Sequence, residues 1–179
     1  MKKNVWTGFM ALALCFLLVV PTALGDTREG VIYLEGQEEK IEESLFISPL
    51  GFSFWYENEG LEAYHGEING IEGVIVSAAY SDDYMVLSMI TEEAAKEYTD
   101  DLDMDLAAMS AEARVQTEVY LDLDDGVYYF CTLIAENGQY LRAVGQYYAE
   151  AAEGNAKFFQ RVLDSVIFST ELPEADETV

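Results

Sequence analysis

VQTEVYLDLDDGVYYFCTLIAENGQYLRAVGQYY, residues Val115 to Tyr148, carries the clearest structural signal in the chain. Its first third alternates: Val115, Thr117, Val119, Leu121 and Leu123 fall on one side of an extended chain, and Gln116, Glu118, Tyr120, Asp122 and Asp124 on the other. A strand of that pattern buries one face and wets the other. The middle third, VYYFCTLIA, is apolar on both sides and predicts a central strand covered on each face. Asp125-Gly126 and Asn137-Gly138 separate the three runs, and these dipeptides tolerate the positive φ that a two-residue hairpin turn requires. The reading is an antiparallel meander.

Upstream the same grammar continues. Asn69-Gly70 joins runs at 61–68 and 71–80, and the Ser81-Asp82-Asp83 turn leads into Tyr84 to Ile90. Leu45-Phe46-Ile47 and Phe52-Ser53-Phe54-Trp55-Tyr56 read as two strands broken at Pro49 and Gly51. Two helices are available to cover the sheet. One opens at Thr91, an N-cap followed by Glu92 and Glu93, and carries an apolar stripe of Ala95, Tyr98, Leu102, Leu106 and Met109. The other spans about 155–166, with Phe159, Val162, Leu163, Val166 and Ile167 at helical spacing. The expected fold class is therefore α+β, an antiparallel meander sheet with helices packed on its faces.

The N-terminus reads as an export signal. MKK is followed by an apolar run from Val5 to Val20 and by Pro21-Thr22-Ala23-Leu24-Gly25, which predicts a signal peptide over residues 1–25 with cleavage between Gly25 and Asp26. The protein is then secreted and extracytoplasmic; if the segment were retained it would anchor the domain at the cell surface. Cys15 follows Leu14 inside the apolar run, which does not suit a lipoprotein signal. Two lysines and no acid leave with the signal, taking the net charge from −25 to −27. Such a surface repels nucleic acid and anionic membranes, and it favours cationic partners. Cys131 is then the sole cysteine, so the exported domain has no internal disulfide. Residues 26–43 read as an edge strand and acidic loop, 44–169 as the folded domain, and 170–179 as a disordered acidic tail.

An aromatic strand (LGFSFWY, residues 50–56), a hairpin, a central helix, a three-strand meander and a closing FFQRVLDSVIF (158–168) resemble, in that order, the Mog/PsbP-like α/β/α sandwich family. The resemblance spans most of 44–169, and it implies a non-catalytic binding module. It rests on pattern alone, and no functional residue of that family maps onto a position here.

The candidate chemistry is sparse. DLDMDLAAMSAE places Asp101, Asp103, Asp105 and Glu112 at positions 1, 3, 5 and 12 of a helix-flanked calcium loop, but Leu106 stands where that loop needs glycine and belongs to the helix stripe. Asp122, Asp124 and Asp125 fit a strand entering a turn. His65 is the sole histidine, and a Cys131–His65 pair would need a central strand residue to face solvent. Gly66, Gly70 and Gly73 lack the lysine and the strand-to-helix setting of a phosphate loop. Trp55, Tyr56, Tyr64, Tyr147 and Tyr148 are candidates for an aromatic binding surface. No catalytic residue, cofactor or metal ligand is assigned. The expected function is a secreted or cell-surface non-enzymatic binding module for a protein or carbohydrate partner, with no nucleic acid and no stable membrane insertion. The alternatives are a small secreted hydrolase using Asp and Glu, and a calcium-binding module through 101–112.

Overall fold

The computed structural model describes residues 26–34, 36–101, 106, 115–122, 124–151 and 154–169. In chain order these form β1 (Thr27–Leu34), β2 (Gln37–Ser48), β3 (Phe52–Glu57), β4 (Leu61–Ile68), β5 (Ile71–Ala78), β6 (Tyr84–Ile90), α1 (Glu92–Asp101), β7 (Val115–Asp122), β8 (Val127–Glu136) and β9 (Gln139–Tyr148). A short 3₁₀ turn (Ala149–Ala151), α2 (Asn155–Asp164) and β10 (Ile167–Phe168) complete the described chain. Two antiparallel sheets result, one in the order β1-β2-β3-β10 and one in the order β4-β5-β6-β9-β8-β7.

The larger sheet is two meanders joined along β6 and β9, paired from Tyr84↔Gln146 to Ile90↔Tyr140. Asn69 and Asn137 take φ of 55° and 54°, with Gly70 and Gly138 at 80° and 76°, so both Asn-Gly pairs form the two-residue turns their composition demands. Asp125-Gly126 behaves differently. Asp122 pairs with Val127, so four residues make the loop, with Gly126 alone at positive φ (65°) among those described and the Asp122 side chain accepting from the Asp124 amide at 3.0 Å. An acid-rich approach gives the loop its own side-chain acceptor, and the turn widens.

The expected α/β/α arrangement is overturned. The layer facing the six-stranded sheet is a second sheet, and the fold is β-sandwich-like. Phe46, Phe52 and Phe54 project from β2 and β3 onto Leu61, Val74, Val76, Met85 and Leu87 of the large sheet. Phe46 and Phe54 stack at 5.2 Å, and Phe46 lies 5.7 Å from the His65 ring on β4. These residues alternate at period two and sit in register (Phe46↔Phe54, Ser48↔Phe52), so an apolar sheet face was ready to supply the cover that the helices were expected to give. The helices take smaller parts. α2 fills the side of the same layer, with Phe159 6.1 Å from Phe130 of β8, and α1 covers one patch of the opposite face, where Ala95 and Tyr98 meet Leu133 and Ala135. Thr91 does cap α1, its hydroxyl accepting from the Ala94 amide at 3.2 Å.

Two further expectations change. The acidic stretch after Gly36 is strand rather than loop, because β2 begins at Gln37 and pairs with β1 from there to Ser44. VYYFCTLIA lies second from the sheet edge, between β7 and β9, and its cover is incomplete: Phe130, Thr132 and Ile134 are buried on one face, and on the other Leu133 and Ala135 are buried while Tyr129 is exposed and Cys131 half-buried. The expected signal peptide, its Gly25–Asp26 cleavage site and the acidic tail fall on residues outside those described, apart from Asp26 itself. Among the described residues no helix is long and apolar enough to cross a membrane.

Candidate functional site

β1 lies at the edge of the small sheet, and its residues alternate between bonding β2 and facing outward. Leu45 N donates to Asp26 O, which places the backbone groups of even-numbered residues toward β2 and those of Glu29, Val31 and Tyr33 away from it. Two of those outward carbonyls have partners. Arg161 Nη1 donates to Val31 O at 3.0 Å, and Lys157 Nζ donates to Tyr33 O at 2.9 Å. Lys157 and Arg161 stand four residues apart on α2 and so share one face. Phe159, Val162 and Leu163 occupy the face turned to the core.

Behind the arginine sits Glu43, paired across the strands with Arg28 and 0% exposed. Arg28 Nε donates to Glu43 Oε2 at 2.7 Å, and Arg161 donates through Nε to Oε1 and through Nη2 to Oε2 at 3.1 Å. Burial pushes the Glu43 carboxyl upward, but the hydrogen bonds and charges of Arg161 and Arg28 outweigh it, and its pKa lies below the ordinary carboxylate value. The bond to Glu43 in turn raises the Arg161 pKa. A side chain at Gly30 would not fit this cluster, since a Cβ there would lie 2.6 Å from Arg161 Nη2 and 2.9 Å from Glu43 Oε2. The Arg28 guanidinium also lies 4.3 Å over the Trp55 ring, a cation–π contact. Trp55 is fixed in turn by Ser165, whose hydroxyl accepts from Trp55 N at 2.9 Å.

Between β1 and α2 these residues line an open groove of about 690 Å³. Arg28, Lys157 and Arg161 supply its positive charge, Asp164 its exposed negative charge, and Tyr33 and Trp55 its aromatic surface. Only three of the chain's nine Lys and Arg are needed to make this wall cationic in a protein of net charge −25.

The groove was not legible as a site in the sequence, although Trp55 was among the aromatics singled out. The other four lie elsewhere. Tyr56 packs against the core, Tyr147 stacks on Tyr128 at 5.2 Å, and Tyr64 and Tyr148 are exposed away from the groove. Cys131 and His65 are on different strands, β8 and β4, at opposite sides of the large sheet. Burial raises the Cys131 pKa, the direction that disfavours a thiolate nucleophile. Among the described residues the two carboxyls with displaced titration, Glu43 and Glu29, both move down, whereas a general acid needs the reverse. Asp101 ends α1 and Leu106 packs near Ala95 and Leu133; the other acidic residues of the 101–112 segment lie outside those described. Among the described residues no three His, Cys, Asp or Glu side chains gather as a metal site. Gly70 is a hairpin glycine, and Gly66 and Gly73 are strand glycines on β4 and β5. No protein-family model matches the chain, and a search of curated proteins finds no match.

Proposed function

We propose that the protein is an exported, non-enzymatic binding module whose recognition site is the groove between β1 and α2, and that its ligand is a carboxylated oligosaccharide. The observation that carries this reading is the gathering of Arg28, Lys157 and Arg161 around Trp55 and Tyr33 in an otherwise strongly acidic protein. Carboxylates meet cations there, and aromatic rings offer apolar area to a sugar face. An extended peptide is a poorer fit, because Val31 O and Tyr33 O, the carbonyls it would pair with, already accept from α2. The anionic ligand class proposed for this groove differs from the cationic partner expected from net charge, since a local wall of charge governs what enters a groove.

Calorimetry on the protein from Asp26 onward tests the reading. Galacturonate oligosaccharides should bind, with affinity falling as salt rises, and neutral galactose oligosaccharides of equal length should not. Lys157→Gln should weaken binding several-fold. Equal binding of the two sugars, or heat from neither, would remove the proposal.

A further inference from the structure

β7 is one of the two edge strands of the large sheet, β4 being the other, and among the described residues no strand pairs with its outer side. Ala149 N donates to Gly126 O, so even-numbered residues of β8 bond β9 and odd-numbered ones bond β7. It follows from the pairing of Glu118 with Cys131 and Tyr120 with Tyr129 that Glu118 and Tyr120 direct their backbone groups into the ladder, while Thr117, Val119 and Leu121 direct theirs outward. Beside this row of outward groups two large apolar side chains are exposed, Val119 at 54% and Tyr120 at 68%, one on each face of the strand, with the exposed Glu118 between them and Thr117. Beside it opens a cavity of about 330 Å³ lined on the outer face by Glu118, Tyr120, Tyr129 and Cys131. Its one charged side chain is an acid.

We infer that β7 accepts an extended, lysine-bearing segment of a partner protein as an added strand of the large sheet. Main-chain bonds to Thr117, Val119 and Leu121 would supply register, and alternate side chains of the partner would meet Val119 on one face and the Glu118–Tyr120 cavity on the other. Charge chooses the occupant. A second copy would bring Glu118 and Asp122 close to their own kind and would add two strongly negative bodies, whereas a cationic strand neutralises the same groups. The inference stands apart from the groove, which lies on the small sheet.

The probe is a short peptide alternating valine and lysine, with a valine–glutamate peptide as control, added to the protein from Asp26 onward. The lysine peptide should bind and slow amide exchange at Thr117, Val119 and Leu121, and the glutamate peptide should do neither. Val119→Pro removes an outward N–H and spares the β7–β8 ladder, so it should weaken binding about tenfold. Val119→Thr should bind as the parent does, and Glu118→Lys, which cannot disturb the backbone, should bind the lysine peptide several-fold more weakly. Unchanged affinity in Val119→Pro and Glu118→Lys, slowed amides on β4 instead, or self-association that slows the β7 amides without peptide would each overturn the inference.

Discussion

β1 and β7 are both eight-residue edge strands, and each leaves alternate backbone groups facing away from its neighbour. Only β1 has that edge occupied. Lys157 and Arg161 reach its carbonyls from α2, and Arg161 is held by Glu43, which also holds Arg28. β7 has acidic and apolar side chains along it and, among the described residues, no such cover. Sheet edges are hazards that proteins close with charge, helices or bulges. In an acidic chain the few cations decide which edge is closed, and they leave a cationic groove where they gather.

The comparison can be broken most directly at Glu43. Glu43→Ala leaves two guanidiniums without their shared carboxylate and should cost about 2–3 kcal/mol in urea unfolding, below the range for a fully buried pair because both arginines reach solvent. A change near zero would mean that the cluster does not hold β1. Gly30→Val should come next, with a loss of about 1–2 kcal/mol, as the new side chain displaces Arg161 or Glu43. Exchange of the β1 amides should rise in that variant, and those of β7 should stay as they were.

Acid sharpens the same point. The folded pKa of Glu43 is depressed, so its contribution is present above the ordinary carboxylate pKa and is lost as pH falls through the folded value. Melting temperature should drop through that window more steeply in the parent than in Glu43→Ala, and parallel curves would count against the cluster. Lys157→Ala, at an exposed position, should cost no more than about 0.5 kcal/mol. Val119→Pro should fall within a similar margin, because its N–H leaves the ladder; a loss as large as that of Glu43→Ala would show that the β7 edge is not free.

Local structure was largely written in the residues. Asn69-Gly70 and Asn137-Gly138 marked turns that form, Phe159, Val162 and Leu163 of the expected stripe lie on α2 while Ile167 falls beyond it in β10 and is exposed, and the alternation from Val115 forms β7. What period-two patterning cannot state is which sheet faces which. Phe46, Phe52 and Phe54 read as one face of a strand pair whether that face meets helices or another sheet, and the choice depends on contacts far apart in sequence. The charge of GQEEKIEES hid β2, since one member of its acidic run, Glu43, is buried only because Arg28 and Arg161 reach it from 15 residues before and 118 after. The groove was hidden for the same reason. Scarcity was the available signal: with nine cations among 179 residues, each arginine is worth following to its partner.

Trp55 offers the most direct test of the groove, because in the chain from Asp26 onward it is the one tryptophan and its emission reports that wall alone. Titrated with galacturonate oligosaccharide, the protein should show a saturable change in tryptophan fluorescence that salt weakens; the valine–lysine peptide, bound at β7, should leave it unchanged. A fluorescence response to the peptide equal to that of the acidic sugar, or none to the sugar at any concentration, would contradict the account.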